Sequence, residues 1–148
     1  MVDDPLEAAR QIASQCLILR VRRLDRQLTR IYDEAMREHG MTAAQFNLLV
    51  AIAVAAPVSP TALASVMELE KSSLSRNVAK MIEHGWVRSA AGAVPGLDLS
   101  CTAKGLRLIA KAHPSWERAQ AGVRELLDDD LAAGLAALPP HAPPRARR

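Results

Sequence analysis

The stretch from Ser59 to Val87 most constrains the fold, because it predicts two short helices separated by a very short connection. It reads SPTALASVMELEKSSLSRNVAKMIEHGWV. Ser59 is a favourable N-cap, and Pro60 suits the first helical position, where no backbone donor is needed. The second helix is predicted from Lys71 to His84, and Gly85 ends it. Two short helices this close in sequence predict a helix-turn-helix.

The second of these helices has an apolar arc and a polar remainder. At about 100° per residue, its apolar side chains fall within one arc that should face a core: Leu74, Val78, Met81 and Ile82. The remainder carries short donors and two cations: Ser72, Ser73, Ser75, Arg76, Asn77 and Lys80. An ordinary solvated face is the alternative, but it would favour Glu, Lys and Gln, because Ser and Asn are weak helix formers. The composition therefore favours a face that contacts a partner.

The residues before this stretch are predicted to form two further helices. A long helix runs from about Pro5 to Glu38, and Gly40 ends it. An apolar, heptad-like seam along this helix suits packing against another long helix: Leu17, Val21, Leu24, Leu28, Ile31 and Ala35. The next helix begins with a capping box formed by Thr42 and Gln45, and it runs to Pro57.

The residues after the stretch are predicted to form a hairpin and then helices. The first strand starts at Trp86, AAGAVPG is a turn, and apolar residues alternate along the returning strand: Leu97, Leu99 and Cys101. Thr102 caps a long helix, which Pro114 should kink or break. The acidic run 128–130 is expected to cap a last helix that ends near Leu138. The predicted fold class is mainly α with a small β-hairpin wing, that is, a winged helix-turn-helix plus a helical dimerisation region.

Positive charge is unevenly distributed along the chain. The formal net charge is +3, and the three arginines of the last four residues account for it. Between Lys71 and Lys111, seven Lys or Arg residues stand against only Glu83 and Asp98. The second helix of the helix-turn-helix therefore lies in the most cationic internal stretch, as a surface that contacts phosphates would.

Several classes of protein are not expected from this composition. The longest apolar run, residues 48–58, is too short to span a bilayer, and the acidic start does not resemble a signal peptide. With only Cys16 and Cys101, neither a disulfide framework nor a cysteine metal motif is expected. We expect a cytoplasmic protein without a cofactor or a membrane partner.

An enzyme is also not expected. The chain has no Ser/His/Asp order, glycine-rich phosphate loop or HExxH motif. His39 and His113 together would give a metal ion only two ligands, which is too few for a metal site.

Several segments, in this order, resemble the MarR family of dimeric winged-helix transcription regulators. They are LTRIYDEAMREHGMTAAQFNLLVAI, LEKSSLSRNVAKMIEHGWV and LSCTAKGLRLI, and the resemblance covers roughly residues 12–138. It implies a homodimer with intertwined N- and C-terminal helices, in which each subunit places its second helix-turn-helix helix in a DNA major groove. Long apolar seams in so small a chain also require a second copy to bury them.

This resemblance divides the chain into four parts. The N-terminal dimerisation helix is 1–38, and the winged helix-turn-helix domain that binds DNA is 42–101. The C-terminal dimerisation helices are 102–138, and a basic, Pro-rich tail at 139–148 is predicted to be disordered.

The predicted function is a DNA-binding transcription regulator, specifically a ligand-responsive repressor that binds a pseudo-palindromic operator. Its half-sites should lie about one DNA turn apart. Arg76 is the candidate for bidentate recognition of guanine, and Ser59 and Thr61 suit phosphate binding at a helix N-terminus. The candidate DNA-binding residues are Ser59, Thr61, Ser72, Ser73, Ser75, Arg76, Asn77, Lys80 and Arg88.

The hairpin departs from the family pattern. Wings of this family usually carry an Asp-x-Arg pair whose arginine enters the minor groove, whereas RSAAGAVPGLDLS offers only Arg88, near its base. Minor-groove contact by the wing tip is therefore not expected, and truncating residues 91–95 should cost little affinity. The arginines of the tail would either attract phosphates or only increase solubility: Arg145, Arg147 and Arg148.

Regulators of this family commonly respond to small aromatic acids or to oxidants. A pocket between the dimer helices and the DNA-binding lobe would hold a small aromatic or anionic effector, with four candidate contacts: Arg26, Arg30, Tyr32 and His39. Alternatively each is an ordinary packed or paired residue, such as Arg30 paired with Glu34. An oxidant sensor like the family's organic-hydroperoxide sensors is not expected, because their reactive cysteine corresponds to Ile18 and their second tyrosine to Ala43. Cys16 and Cys101 are predicted to be small buried residues.

A second hypothesis is a non-enzymatic interaction protein of the same fold that binds DNA weakly and sequesters another regulator. The depleted wing and the neutral body of the chain support it. Weak, salt-sensitive and unselective DNA binding would distinguish it from a true repressor.

Overall fold

The computed structural model of the protein describes residues 4–92 and 96–138. Within these ranges the elements are α1 (Pro5–Gln15), α2 (Leu17–Arg37), α3 (Ala43–Ala55), α4 (Pro60–Val66), α5 (Lys71–Glu83), β1 (Val87–Ala91), β2 (Leu97–Cys101), α6 (Ala103–Leu126) and α7 (Asp129–Ala136). The predicted fold class, mainly α with a small β-hairpin wing, is confirmed. The predicted disordered tail, 139–148, and part of the predicted hairpin turn, 93–95, lie outside the described residues.

The N-terminal region contains two helices, so the prediction of one helix from residue 5 to 38 is wrong. Cys16 has an extended conformation, with φ of −67° and ψ of 110°, and separates α1 from α2. Ser14 Oγ donates to the carbonyl of Gln11 at 2.9 Å, and Arg20 donates to the carbonyl of Ser14. These side chains satisfy backbone carbonyls at the end of α1, and such bonds compete with helix propagation.

Local hydrogen bonds fix the start of α3 relative to α2. The predicted capping box is present, since Thr42 Oγ1 accepts from the Gln45 N–H at 3.2 Å and Gln45 Oε1 accepts from the Thr42 N–H at 3.0 Å. Asp33 on α2 accepts from the Ala43 N–H at 2.7 Å. Gly40, with φ of 72°, makes the turn between the two helices. The start of α3 therefore has a fixed position relative to the end of α2.

The helices α4 and α5 form the predicted helix-turn-helix. Ser59 Oγ accepts from the Ala62 N–H at 3.2 Å, and Pro60 is the first residue of α4. Gly85, with φ of 72°, follows the end of α5. Buried side chains of α3, α4, α5 and the hairpin share one core: Leu49, Ile52, Leu63, Leu74, Met81, Val87 and Leu99. Ile82 was predicted to face this core, but it is 40% exposed because it lies at the edge of the apolar arc.

The hairpin is attached to the core at its base. β1 and β2 are antiparallel, with Val87 opposite Cys101 and Ala91 opposite Leu97. Leu99 also exchanges backbone hydrogen bonds with Val58 at 3.1 and 2.8 Å, which ties the returning strand to the chain two residues before α4 begins. The wing therefore starts from a fixed position beside the helix-turn-helix.

The long helix α6 runs through Pro114 without interruption, so the predicted break does not occur. Side chains on both sides of Pro114 are buried, including Ala112, Ser115 and Ala119. Burial of this face holds the helix together although Pro114 lacks a backbone donor. The predicted acidic cap of the last helix is present, because Asp128 Oδ1 accepts from the backbone N–H of residue 131 at 2.7 Å.

The first turn of α6 packs against the residue that precedes the wing. Thr102 Oγ1 donates to the Gly85 carbonyl at 2.7 Å and accepts from the Gly105 N–H at 3.1 Å. A Cβ atom added to Gly105 would lie 2.2 Å from the Trp86 carbonyl oxygen. Neither backbone can move aside easily at this junction, so the position requires glycine.

Gly105→Ala should therefore lower the free energy of unfolding by about 2 kcal/mol or more, because the new methyl group must force two backbones apart. Urea denaturation followed by circular dichroism measures this change. Gly134→Ala in α7 is a matched control, since no atom lies within 4 Å of the added Cβ. The control should be stabilised by roughly 0.5–1 kcal/mol through helix propensity. Equal effects at both glycines would contradict the close contact at Gly105.

Candidate nucleic-acid interface

The solvent-facing side of α5 carries four of the predicted DNA-binding residues in exposed positions: Ser72, Ser75, Arg76 and Lys80. The apolar side, with Leu74, Val78 and Met81, is buried in the core and fixes the rotation of the helix. No side chain caps the N-terminus of α5, where Glu70 is the N-cap residue. Its first backbone N–H groups thus remain available beside the exposed polar residues.

Two predicted contacts, Ser73 and Asn77, are placed differently. Both are only half-exposed, and Asn77 Nδ2 donates to the Ser73 carbonyl at 3.0 Å. The Asn77 amide is thus already engaged with the backbone of its own helix. Ser73 Oγ accepts from the Arg76 guanidinium at 3.5 Å, a long hydrogen bond that draws this side chain toward the N-terminus of α5.

The start of α4 lies beside α5, as the helix-turn-helix prediction requires. Ser59 Oγ is occupied by its capping bond to α4, whereas Thr61 is exposed. Between the two helices lies a groove of about 390 Å³ that brings residues of both together: Pro60, Thr61, Lys71, Leu74, Ser75, Val78, Ala79 and Ile82. The groove accounts for the exposure of Ile82, which apolar spacing alone did not predict.

The wing contributes one predicted contact. Arg88 is exposed and lies opposite Ser100 in the β1–β2 pair. Arg88 is also the only cation in β1 or β2. Lys104, just after the wing, donates to the His84 carbonyl at 2.7 Å and is therefore partly committed to the end of α5.

The cations on and beside α5 have no carboxylate partner in the described part of the chain. In the described ranges, no carboxylate oxygen lies within 4 Å of the charged groups of four residues: Lys71, Arg76, Lys80 and Arg88. Unpaired cations at the surface can replace the counterions of a nucleic-acid backbone. Together with the free N–H groups of α5, they form a surface suited to polyanions.

The four predicted effector contacts do not form one pocket. Arg26 and Arg30 are exposed and line an open groove along α2 that does not include Tyr32 or His39, and Glu34 pairs with Arg37 at 2.6 Å. The predicted Arg30–Glu34 pair is therefore wrong, because Glu34 is engaged one turn further along. Tyr32 instead points inward, donates to Gln120 on α6, and lines a groove of about 520 Å³ between α2, α6 and α7.

The environment of Tyr32 changes its acidity. Burial raises the pKa of the Tyr32 hydroxyl, and the positive charge of Arg124 partly opposes that effect. The phenol therefore stays protonated at neutral pH and can donate its hydrogen bond to Gln120.

The fourth predicted effector contact, His39, belongs to a network that the sequence did not indicate. Its ring is buried, with 5% of the side chain exposed, and Nε2 lies 2.8 Å from Ser115 Oγ. Ser115 Oγ donates to Glu38 at 2.5 Å and accepts from Arg118 at 3.0 Å. Because the single Ser115 proton goes to the carboxylate, Nε2 of His39 must be the donor to Ser115.

This network affects the charge of Glu38 and leaves one atom of His39 unpaired. The hydrogen bond from Ser115 is the main cause that lowers the pKa of the Glu38 carboxyl, and His39 and Arg118 add to it. His39 Nδ1 is buried without a hydrogen-bond partner among the described residues. Glu38 and Ser115 are 77 residues apart, so no local pattern could have predicted their contact.

The two cysteines were predicted to be small buried residues, but each is half-buried in this chain. Cys16 lies at the break between α1 and α2. Cys101 Sγ donates to the Leu49 carbonyl at 3.4 Å, and burial raises the pKa of its thiol. Among the residues that the structure describes, no three His, Cys, Asp or Glu side chains gather as a metal ion requires, and no helix is long and apolar enough to cross a membrane.

Comparisons with known proteins identify relatives of this arrangement. A family model described as MarR family matches residues 39–94. The chain is 34% identical to the M. tuberculosis transcriptional regulator MosR in a structure with DNA, with a TM-score of 0.72, and the match covers 84% of this chain and 93% of that one. No curated protein sequence matches the chain.

Two E. coli structures share the fold at lower identity. A mutant MarR complexed with operator DNA is 22% identical, with a TM-score of 0.77, and the match covers 86% of this chain and 93% of that one. Wild-type apo MarR is 23% identical, with a TM-score of 0.70 and coverage of 82% and 93%.

The raised pKa of Cys101 predicts slow alkylation in the folded protein. At pH 8 its thiolate fraction should lie below that of a free thiol, whose pKa is about 8.5, so iodoacetamide should react several-fold more slowly than in urea. A Cys16→Ser variant isolates this reaction, and mass spectrometry measures its rate between pH 7 and 10. Equal rates in folded and unfolded protein would contradict the effect of burial.

Proposed function

This chain belongs to the MarR family of winged-helix DNA-binding transcription regulators, and on that premise we propose that it binds a pseudo-palindromic operator as a homodimer. The observation that carries the proposal is the exposed, polar and cationic side of α5. Leu74, Val78 and Met81 anchor this helix, while Arg76 and Lys80 have no carboxylate partner in the described part of the chain. The α5 face can therefore enter a major groove without breaking internal ion pairs.

Each residue of the face has a distinct proposed role. Arg76 can present its guanidinium to the O6 and N7 atoms of guanine, which is the commonest specific contact in the major groove. Ser72 and Ser75 are short enough to let the helix approach base edges and phosphates, and Lys80 suits a phosphate. Thr61 at the start of α4 and Arg88 at the base of the wing would contact the DNA backbone on either side of the major groove. Asn77 is assigned a structural role, because its amide is bonded to the backbone of α5.

The homodimer is supported by apolar surface at the two ends of the chain. No residue of α1 or α7 is buried within the described chain. Large apolar side chains at both ends of the described chain are 38–75% exposed. They lie on α1, the start of α2, the end of α6, α7 and the short segment after it: Leu6, Ile12, Leu17, Ile18, Leu19, Val21, Leu126, Leu131, Leu135 and Leu138. So much exposed apolar surface on neighbouring elements is typical of an interface. A two-fold dimer would bury it and would present two α5 helices to two half-sites.

The proposal includes repression relieved by a small aromatic or anionic effector. The Tyr32 groove, with Gln120 and Arg124 at its walls, supports such binding better than the exposed Arg26 and Arg30. Regulation of transcription would place the protein in the cytoplasm, and no catalytic activity is proposed. The second candidate, a dimer that sequesters another regulator, is favoured by the single cation of the wing strands.

Selection of random DNA duplexes by the purified full-length protein tests the proposed function. After several rounds at physiological salt, sequencing should reveal an inverted repeat with half-sites about one DNA turn apart. Failure to enrich any sequence, with a folded dimer in hand, would contradict operator binding and favour the sequestering protein. Binding that is salt-sensitive but unselective would support the same conclusion.

Arg76→Ala should weaken binding to the selected operator about 10- to 100-fold and abolish the preference for guanine at one position, because bidentate pairs carry about 1–3 kcal/mol. Lys80→Ala should weaken all duplexes alike and reduce the slope of log K against log salt by about one. Asn77→Ala should also leave the base preference unchanged, because the Asn77 amide is bonded to the backbone of α5. Fluorescence anisotropy measures all three, with Lys111→Ala on α6 as a charge-matched control. Unchanged affinity and preference in Arg76→Ala would refute the assignment.

Leu131→Glu should raise the dimer dissociation constant at least about tenfold, because a carboxylate would enter the apolar contact between subunits. Leu97→Glu on the wing is the matched control, since Leu97 is 57% exposed and lies outside the dimerisation helices. Analytical ultracentrifugation over a concentration series measures both. Identical dissociation constants for wild type and Leu131→Glu would exclude α7 from the interface.

A further inference from the structure

The two strands of the wing present different faces. In the β1–β2 pair, Val87 and Leu99 are buried, so the side chains that share their face point toward the core at the base of the hairpin. Side chains alternate along a strand, and the opposite face therefore carries the pairs Arg88 with Ser100 and Ala90 with Asp98. Asp98 thus lies on the outward face of the wing, as the diagonal neighbour of Arg88.

The carboxylate of Asp98 is positioned near the tip of the wing. A Cβ atom added to Gly92 would lie 2.7 Å from Asp98 Oδ2, so the carboxylate lies directly over the Gly92 backbone. The Gly92 N–H donates to the Gly96 carbonyl at 3.0 Å, which closes the end of the hairpin at this point. The Asp98 carboxylate therefore lies beside the tip of the wing and not at the base, where the wing is attached to the core.

The charge of Asp98 is not neutralised within the described chain. None of the ion pairs between residues 4–92 and 96–138 includes Asp98, and none joins it to Arg88. Arg88 and Asp98 are the only charged residues of the two strands, so these strands carry no net charge. An unpaired carboxylate at a surface repels a phosphate backbone within about 10 Å, the Debye length at 0.1 M salt.

We propose that Asp98 limits the affinity of the wing for DNA by repelling phosphates, so that binding depends on α5. This inference rests on the proposed function, because it assumes that the wing lies beside bound DNA. Attraction to phosphates supplies essentially all non-specific binding, and a genome offers a very large excess of non-specific sites. An acid on the wing lowers that background and leaves base recognition to the major-groove helix.

The experiment compares full-length wild type with Asp98→Asn, which removes the charge and keeps the shape. Affinity for the selected operator and for a scrambled duplex is measured by fluorescence anisotropy across a salt series. Asp98→Asn should bind the scrambled duplex roughly three- to tenfold more tightly at about 50 mM salt, and the gain should fade as salt rises. Asp98→Glu, which keeps the charge, should bind like wild type. Asp130→Asn in α7 controls for the change in net charge.

The double variant Asp98→Asn with Arg88→Gln distinguishes direct repulsion of phosphates by Asp98 from an effect of Asp98 on Arg88. Because no ion pair joins the two residues, the gain from Asp98→Asn should persist when Arg88 is replaced. Loss of the gain in that background, or an equal gain in Asp130→Asn, would overturn the proposal. So would unchanged affinity of a folded Asp98→Asn protein, with folding checked by thermal unfolding. These outcomes differ from failure of the proposed function, in which wild type itself would select no operator.

Discussion

The close approach of Gly105 to the Trp86 carbonyl is the contact on which the geometry of the DNA-binding lobe depends. It holds the first turn of α6 against the point where α5 has ended and β1 begins. Thr102 adds a hydrogen bond to the Gly85 carbonyl at 2.7 Å, and Lys104 adds one to the His84 carbonyl at 2.7 Å. The helix α5, the wing and the long helix α6 therefore meet at one junction, formed by residues 84–86 and 102–105. A change in the direction of α6 would have to change the orientation of α5.

Features that depend on neighbouring residues were predictable from the sequence. The N-cap at Ser59, the capping box at Thr42 and the glycine end of α5 each follow from backbone donors and acceptors within one helical turn. Features that depend on distant contacts were not. The N-terminal helix is interrupted at Cys16 because side-chain hydrogen bonds outweigh apolar spacing there. The helix α6 continues through Pro114, contrary to expectation, because burial of its neighbouring side chains outweighs the missing backbone donor.

In the candidate site, too, local features were predictable from the sequence and features that depend on distant contacts were not. Residue types on α5 predicted its polar side, and the buried Leu74, Val78 and Met81 agree with that prediction. Sequence could not reveal which donors are already occupied, and Asn77 is bonded to its own helix backbone. Nor could the sequence show that Arg26 on α2 is exposed, while the ring of His39, two residues after the end of α2, is buried. Burial depends on the elements packed alongside, which lie far away in the chain.

The described chain leaves two kinds of surface without partners, and they lie on different parts of it. The apolar surface of α1 and α7 is suited to another apolar surface, whereas the cations of α5 are suited to an anion. Between them, the bonds from His39, Glu38 and Arg118 to Ser115 join the end of α2 to the middle of α6. If a second copy covers the apolar surface, the distance between two α5 helices is set by α2 and α6. The half-site spacing of the proposed operator would then depend on helices outside the helix-turn-helix.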